Sequence, residues 1–210
     1  MPDTAPFSPQ DRLDGQVAVI TGGTGAIGMA TARRLGSLGA RCVLLHRSAD
    51  EAAAQALAES LPGTGHFSLR ASITDSASLK AAAERLALHC PAVHLLVNSA
   101  GYTQAVPAAD LEALSDGLID EMLQVNFRGV IATIRAFLPL LKEAAARGEF
   151  AHVLFTGSEN SLGVPPAVCS VYTSTKHAVL GVADALRRDL RKAEAKVGVH
   201  NRSQRARADR

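Results

Sequence analysis

The chain has 210 residues, with 22 basic and 20 acidic side chains, a formal net charge of +2 and 47% hydrophobic residues. This balance excludes an intrinsically disordered chain and a strongly basic nucleic-acid binder, and it predicts one globular domain with a sizeable core. No stretch approaches the roughly 18 uninterrupted apolar residues of a membrane span, and Met1 to Pro6 lacks the features of a secretory signal. We therefore expect a cytoplasmic protein without a membrane or nucleic-acid partner.

Short apolar runs alternate with longer Ala- and Leu-rich segments from about Gln16 onward, after a flexible arm at residues 1–12 that holds three prolines. The runs predict strands at Val17 to Ile20, Cys42 to Leu45, His66 to Leu69, Val93 to Val97, His152 to Phe155 and from Val197. Helices are predicted at Gly25 to Leu38, Asp50 to Ser60, Asp75 to His89, Ser115 to Lys142 and Tyr172 to Lys196, with Pro139 bending or ending the fourth. The runs lack polar alternation, so we predict a doubly wound α/β fold whose parallel sheet is covered by helices on both faces.

The three cysteines, Cys42, Cys90 and Cys169, are few, odd in number and never spaced as C-x-x-C. This usage suits a reducing compartment and excludes a disulfide framework. His89 and His94 flank Cys90, but the segment offers no carboxylate or second thiol. We therefore expect no metal site.

A glycine-rich turn follows the first predicted strand and opens the first predicted helix. Gly22 permits a tight turn, and Gly25 with the small Ala26 lets the backbone approach a pyrophosphate. Gly28 lets the helix lie close to the strand, and the helix N-terminus offers free N–H groups to phosphates. A plain strand-to-helix turn is the alternative interpretation. The residues expected to contact a dinucleotide here are Gly22, Thr24, Gly25, Ala26, Ile27 and Gly28.

His46 and Arg47 end the second predicted strand, 18 and 19 residues after Gly28, where NAD-binding chains often carry an acid for the ribose hydroxyls. An arginine there can pair with a 2′-phosphate. The charge therefore favours NADP(H) over NAD(H), and a solvated arginine after a strand is the alternative.

Tyr172 and Lys176 are four residues apart and are predicted to share one face of the last helix. A nearby ammonium group favours the phenolate, which makes Tyr172 a candidate proton donor and acceptor. Ser158 follows the strand that ends at Phe155, and the carboxyl ends of parallel strands face the ligand crevice. Its hydroxyl is therefore placed to polarise a carbonyl.

Five motifs occur in order on matching elements: Thr21 to Gly28, Asn98-Ser99-Ala100-Gly101, Val125-Asn126-Phe127-Arg128-Gly129, Ser158 and Tyr172-x-x-x-Lys176. Together they resemble the short-chain dehydrogenase/reductase family over about Leu13 to Val199. The resemblance implies a single Rossmann-type domain and an NADP(H)-dependent oxidoreductase that moves a hydride between nicotinamide and a small carbonyl or alcohol substrate. It also implies a homo-oligomer, either a dimer or a tetramer.

The resemblance implies roles for individual residues. Tyr172 would be the acid/base, and Lys176 its electrostatic partner and a ligand of the nicotinamide ribose. Ser158 would orient the carbonyl, and Asn126 would anchor a water-linked proton relay to Lys176. Ser72 stands where many members carry an adenine-contacting aspartate. The remaining expected cofactor contacts are Ser72, Ile73, Asn98, Ala100, Gly101, Tyr172 and Lys176.

The C-terminal end departs from the family pattern. After Val199 the chain carries four arginines and no large apolar residue. We therefore expect a domain at residues 13–199 that is incomplete at its C-terminus, followed by a disordered basic tail at residues 200–210. Either the chain is a shortened member, or its reading frame diverges after about His200. The alternative function is a non-catalytic dinucleotide-binding or scaffold protein, inactive because the C-terminal substrate segment is missing.

Overall fold

The computed structural model describes residues 12–158 and 170–202, and six strands within them form one parallel sheet. The strands are β1 (Val17–Thr21), β2 (Arg41–His46), β3 (Phe67–Arg70), β4 (Leu95–Asn98), β5 (Ala151–Thr156) and β6 (Val197–Arg202). Their spatial order is β3-β2-β1-β4-β5-β6, so the order reverses at β1, which lies between β2 and β4. The doubly wound α/β fold is therefore confirmed, and its crevice is expected where the order reverses.

Six α-helices among the described residues connect the strands, and side-chain caps explain where several of them begin. Asp50 accepts a hydrogen bond from the N–H of Ala53, and Asp75 accepts from those of Ala77 and Ser78. No helix among the described residues is long and apolar enough to cross a membrane. The helices are α1 (Ala26–Ser37), α2 (Glu51–Glu59), α3 (Ser76–Ala87), α4 (Asp116–Leu123), α5 (Gly129–Ala146) and α6 (Ser170–Lys192).

The sheet separates two hydrophobic cores. Val19 and Val43 pack on the face covered by α3, α5 and α6, while Ile20 and Leu44 pack on the face covered by α1. Consecutive residues of β1 and β2 are therefore buried on opposite faces, which is why these strands lack polar alternation. Strand β5 differs, because its residues alternate between buried and half-buried positions. The prediction that helices cover both faces of the sheet is therefore wrong at β5.

The helix predicted over Ser115 to Lys142 is two α-helices joined by a π-helical turn at Gln124–Arg128. Pro139 does not end the second of them, since α5 continues to Ala146. Pro139 is exposed, and the carbonyl that its missing N–H leaves unpaired belongs to the exposed Arg135. Beyond the proline, Leu141 and Ala144 are fully buried and hold the last turns against the core.

Strand β6 extends farther than predicted. His200 to Arg202 continue the ladder against Leu154 to Thr156, so the predicted start of the tail at residue 200 is wrong by three residues. Backbone hydrogen bonds of a ladder do not require apolar side chains, which explains how this polar segment forms a strand. The rest of the expected tail, most of the N-terminal arm and Cys169 lie outside the described residues.

Two buried histidines accept hydrogen bonds from backbone N–H groups at the starts of β1 and β2. Nδ1 of His94 accepts from the N–H of Val17 at 2.9 Å, and Nε2 lies 2.6 Å from Glu149 Oε2. Nδ1 of His66 accepts from the N–H of Cys42 at 3.0 Å, and Nε2 lies 2.9 Å from the carbonyl oxygen of Pro62. Both ring nitrogens of each imidazole are therefore paired, and each imidazole binds a backbone N–H of a strand.

Candidate active site

Glycines determine how closely α1 approaches the preceding turn. Gly22 has φ of +61°, and a Cβ there would lie 2.9 Å from the Cα of Ala100. A Cβ on Gly28 would overlap the carbonyl oxygen of Gly22. Helix α1 then begins after Gly25 with no side-chain cap and no acidic residue in its first turn. Its first N–H groups and their positive partial charge are therefore available to a ligand.

Thr21 fastens this turn to the turn that follows β4. Its Oγ1 accepts hydrogen bonds from the N–H groups of Ser99 and Ala100, both at 3.1 Å, and donates to the carbonyl oxygen of Val97 at 3.4 Å. These three bonds use the single donor and both acceptor positions of a hydroxyl. Two motifs that are far apart in sequence are thereby held side by side.

A cleft of about 420 Å³ opens at the carboxyl ends of the central strands, within the range of roughly 300–1,000 Å³ typical of small-molecule sites. It brings together the expected cofactor contacts from four separate segments. Asn98 does not line the cleft, because it is buried and its Nδ2 donates to the carbonyl oxygen of Leu154 at 3.3 Å. Tyr172 and Lys176 also lie outside the lining. The expected contacts that line the cleft are Gly22, Thr24, Gly25, Ala26, Ile27, Gly28, His46, Arg47, Ser72, Ile73, Ala100 and Gly101.

Several lining residues were not predicted from the sequence. Glu121 and Val125 line the cleft from the helical segment that contains Asn126. They are four residues apart, and this spacing in the sequence could have indicated that they share one helix face. Arg128 fastens the same side to the turn after β3, because its Nη1 donates to the carbonyl oxygen of Thr74 at 3.1 Å. The lining residues missed are Leu45, Ala71, Thr74, Ser99, Tyr102, Glu121 and Val125.

His46 and Arg47 occupy the rim of the cleft at the end of β2. The imidazole of His46 is buried, and neither ring nitrogen has a hydrogen-bond partner among the described residues. Burial lowers the pKa of His46 from its ordinary value. Arg47 is exposed and forms no ion pair within residues 12–158 and 170–202. Arg47 is therefore available to a ligand, and His46 lines the same cleft from a buried position.

Lys176 and Tyr172 lie on one face of α6, as their spacing predicts. The ammonium group of Lys176 is buried, donates to the carbonyl oxygen of Thr156 at 2.9 Å and lies 5.6 Å from the centroid of the Tyr172 ring. Burial lowers the pKa of Lys176 to about 8, because an apolar environment disfavours the charged form. The lysine is therefore still charged at neutral pH, close to the phenol.

Asn126 connects α6 to the turn after β4. Its Oδ1 accepts from the N–H of Tyr102 at 2.8 Å, and its Nδ2 donates to the carbonyl oxygen of Tyr102 at 2.7 Å and to Thr175 Oγ1 at 3.3 Å. The side chain is fully buried in the π-helical turn. Gly101 lies next to both Asn126 and Lys176, since a Cβ at Gly101 would lie 3.4 Å from Asn126 Oδ1 and 3.9 Å from Lys176 Nζ.

Ser158 lies two residues beyond the end of β5 and is 8% exposed. It is thus at the same end of the sheet as the cleft and close in sequence to Thr156, which Lys176 contacts. Of the residues expected to be catalytic, Asn126, Tyr172 and Lys176 are joined by contacts through Thr175 and Gly101. Among the described residues, no group of three His, Cys, Asp or Glu side chains is placed to hold a metal ion.

A parallel sheet, a glycine-rich turn before α1 and a Tyr/Lys pair next to the crevice define a class of doubly wound α/β proteins. Comparison with known proteins specifies the family. The family described as short chain dehydrogenase matches residues 16–201. D-threitol dehydrogenase of Mycolicibacterium smegmatis is 32% identical over 177 residues, which are 83% of this chain and 64% of that protein. The chain belongs to the short-chain dehydrogenase/reductase family, as its motifs indicated.

Solved structures agree with the family. A short-chain dehydrogenase/reductase from Burkholderia phymatum in complex with NAD is similar with a TM-score of 0.77 and 31% identity, over 90% of this chain and 64% of that chain. The Pseudomonas aeruginosa RhlG/NADP active-site complex is similar with a TM-score of 0.84 and 25% identity, over 94% and 75%. The chain therefore spans less than two thirds of the Mycolicibacterium relative and of the Burkholderia structure.

Proposed function

We propose that this protein is an NADP(H)-dependent oxidoreductase that transfers a hydride between nicotinamide and a carbonyl or alcohol substrate, with Tyr172 as the acid/base. The observation that carries the proposal is the arrangement of one continuous site. The cleft begins at an uncapped helix N-terminus and borders, at Gly101, the buried ammonium group beside Tyr172.

The residues of the cleft fit a phosphate-bearing dinucleotide. The first turn of α1 offers N–H groups for the pyrophosphate, and Arg47 offers a cation for the 2′-phosphate. The wall formed by Ala71 and Ile73 suits the flat, weakly polar adenine ring. Lys176 would hold the nicotinamide ribose, because its ammonium group is the nearest cation to the Gly101 end of the cleft. The nicotinamide, when bound, supplies or accepts the hydride.

Tyr172 handles the proton in this proposal. In reduction its hydroxyl donates a proton to the carbonyl oxygen, and in oxidation the phenolate takes one from the alcohol. The positive charge of Lys176 favours the phenolate, since the ammonium group is close to the ring and is itself buried. Ser158 would orient the same substrate oxygen with a hydrogen bond.

Asn126 acts in this proposal as a positioning residue. Its amide is bonded to both the N–H and the carbonyl of Tyr102 and to Thr175, next to Lys176. These bonds hold the Gly101 turn at a set distance from α6. A proton relay from Lys176 through water at Asn126 stays part of the proposal.

Two measurements on the unmodified chain test the proposed function: a fluorescence titration with NADPH, and NADPH oxidation with a panel of aldehydes and ketones. We expect saturable NADPH binding and turnover of at least one carbonyl. Binding without any turnover would favour the non-catalytic dinucleotide-binding protein instead. The absence of NADPH binding would contradict both functions.

Replacing Arg47 with Ala is expected to reduce the preference for NADPH over NADH by about tenfold or more. A charge-assisted bond to a phosphate contributes roughly 1.5–3 kcal/mol, and about 1.4 kcal/mol corresponds to a tenfold change in affinity. Dissociation constants for both cofactors measure the effect, with Arg33→Ala as the control because Arg33 is exposed on α1 and outside the cleft. Equal affinities of the unmodified protein for the two cofactors would refute the preference.

A further inference from the structure

His46 is the exceptional buried histidine of the described chain. The other two, His66 and His94, have both ring nitrogens paired. His46 is 4% exposed, and neither ring nitrogen forms a hydrogen bond of normal length and angle among the described residues, although the backbone of Ser48 acts on the imidazole. Unpaired buried polar groups are uncommon in native proteins and mark positions where a ligand can complete the hydrogen bonds. Because His46 lines the cleft at the end of β2, the ligand bound there is placed to do so.

The charges around His46 come from four elements. Arg47 follows it in sequence, and Arg70 is its register partner on β3. Glu51 at the start of α2 lies 3.8 Å from Arg70, so its charge is partly matched. Glu121 of α4 lines the same cleft, while the first turn of α1 carries no acid. Burial is the largest cause of the lowered pKa of the imidazole, and the Arg70 charge lowers it further, whereas the Glu51 charge and the backbone of Ser48 raise it. Because the pKa stays below its ordinary value, the imidazole is mainly neutral near pH 7 in the free protein.

We propose that His46 takes up a proton when a nucleotide with a 2′-phosphate binds, so that the cleft selects 2′-phosphorylated nucleotides more strongly as the pH falls. This inference rests on the proposed function, which places the adenosine end of the cofactor beside His46 and Arg47. It adds to that function a coupling between cofactor choice and pH.

The chemistry of the two ligands explains the difference. A phosphate dianion has only acceptor oxygens, whereas a neutral imidazole has one donor and one acceptor nitrogen. Protonation turns the second nitrogen into a donor and adds a charge-assisted bond. A ribose 2′-hydroxyl is both donor and acceptor, so neutral His46 can pair with it directly. Protonation of His46 therefore strengthens binding only of the nucleotide that carries a 2′-phosphate.

The direction of the pH effect follows from linkage. The pKa of His46 is low in the free protein and is raised by the bound phosphate, so the complex holds more protons than the free protein between these two values. Affinity for the 2′-phosphate is then expected to fall by up to about tenfold for each unit of rising pH in that window. Between roughly pH 6.5 and 8.5 the phosphate itself is mainly a dianion, because its second pKa is about 6.

Calorimetric titration with adenosine 2′,5′-bisphosphate and with AMP tests the inference without any need for turnover. Each titration is carried out at pH 7 in two buffers of different ionisation enthalpy, which gives the number of protons taken up. We expect uptake of a substantial fraction of one proton with the bisphosphate and almost none with AMP. His46→Gln should abolish the uptake, since Gln can hydrogen-bond and cannot be protonated. His89→Gln is the control, because His89 is exposed outside the cleft.

The possible outcomes distinguish a failure of this inference from a failure of the proposed function on which it rests. Tighter binding of the bisphosphate than of AMP without proton uptake would refute the role of His46 and leave the NADP(H) preference intact. Uptake that persists in His46→Gln would also refute it, because another group would then take the proton. If neither nucleotide binds, the proposed cofactor site itself is wrong. The measurement on the unmodified chain decides the first point even if the variant folds poorly.

Discussion

Replacing Tyr172 with Phe is expected to lower carbonyl turnover by at least about 100-fold, because general acid–base catalysis typically contributes roughly 10² to 10⁴-fold. The substitution removes one oxygen from a side chain that stays on the same face of α6, beside Lys176. Cofactor affinity should change by less than about threefold, since the main cofactor contacts are on α1, β2 and the turn after β4. Steady-state turnover and NADPH titration, made on the same preparation, measure both quantities.

Tyr102→Phe is the matched control for this experiment, because Tyr102 is the only other tyrosine of the chain. Its side chain lines the cleft, but its hydroxyl donates to Gln104 at the surface, and its bonds to Asn126 use the backbone, which the substitution keeps. A change of no more than a few-fold is expected there. If Tyr172→Phe kept more than about a tenth of the original turnover, the assignment of the proton donor would be wrong.

Replacing Gly28 with Ala is expected to weaken NADPH binding by roughly 10- to 100-fold and to lower the free energy of unfolding by about 1–3 kcal/mol. The new methyl group would overlap the carbonyl oxygen of Gly22 and lie 2.9 Å from the Cα of Gly23. Both are backbone atoms, so the overlap can be relieved only if α1 moves away from the turn. The N–H groups at its start would then no longer face the cleft at the distance a phosphate requires.

Gly181→Ala makes the same substitution in a helix where it meets nothing. A Cβ at Gly181 would have no neighbour within 4 Å, and the residue lies in α6 outside the cleft. Alanine is preferred over glycine in helices, so this variant should be unchanged or more stable by up to about 1 kcal/mol. Urea unfolding and NADPH titration of both variants make the comparison. Equal affinities of Gly28→Ala and the unmodified protein would show that the turn tolerates a displaced α1.

The two variants test different parts of the proposed site. Tyr172→Phe should affect the chemical step while leaving binding intact, and Gly28→Ala should affect binding first. A chain in which both lost only binding would have Tyr172 in a cofactor-holding role. The separation is expected because Gly28 contacts the turn at one end of the cleft, while Tyr172 lies beside Lys176 beyond Gly101.

Local features of the chain were sufficient to predict much of the fold. Asp50 and Asp75 each cap a helix that begins one residue later, and both starts were predicted within one residue. The glycine-rich turn is a steric requirement between neighbouring residues, so its glycines could be recognised without knowing the rest of the fold. The Tyr172/Lys176 pair shares a helix face for a similar reason, since four residues make about one helical turn.

Only the tertiary structure decided which groups complete the site and which are paired. Nothing local indicates that His46 is buried without a well-formed hydrogen bond while His66 and His94 are fully bonded, because three of the four partners of those two histidines come from distant segments. The π-helical turn that turns Asn126 inward, and the exposed position of Pro139 that lets α5 continue, likewise depend on packing against other elements. Sequence determines the contacts that short-range geometry enforces, whereas burial and pairing across the fold are set by which surfaces meet when the sheet and its helices pack.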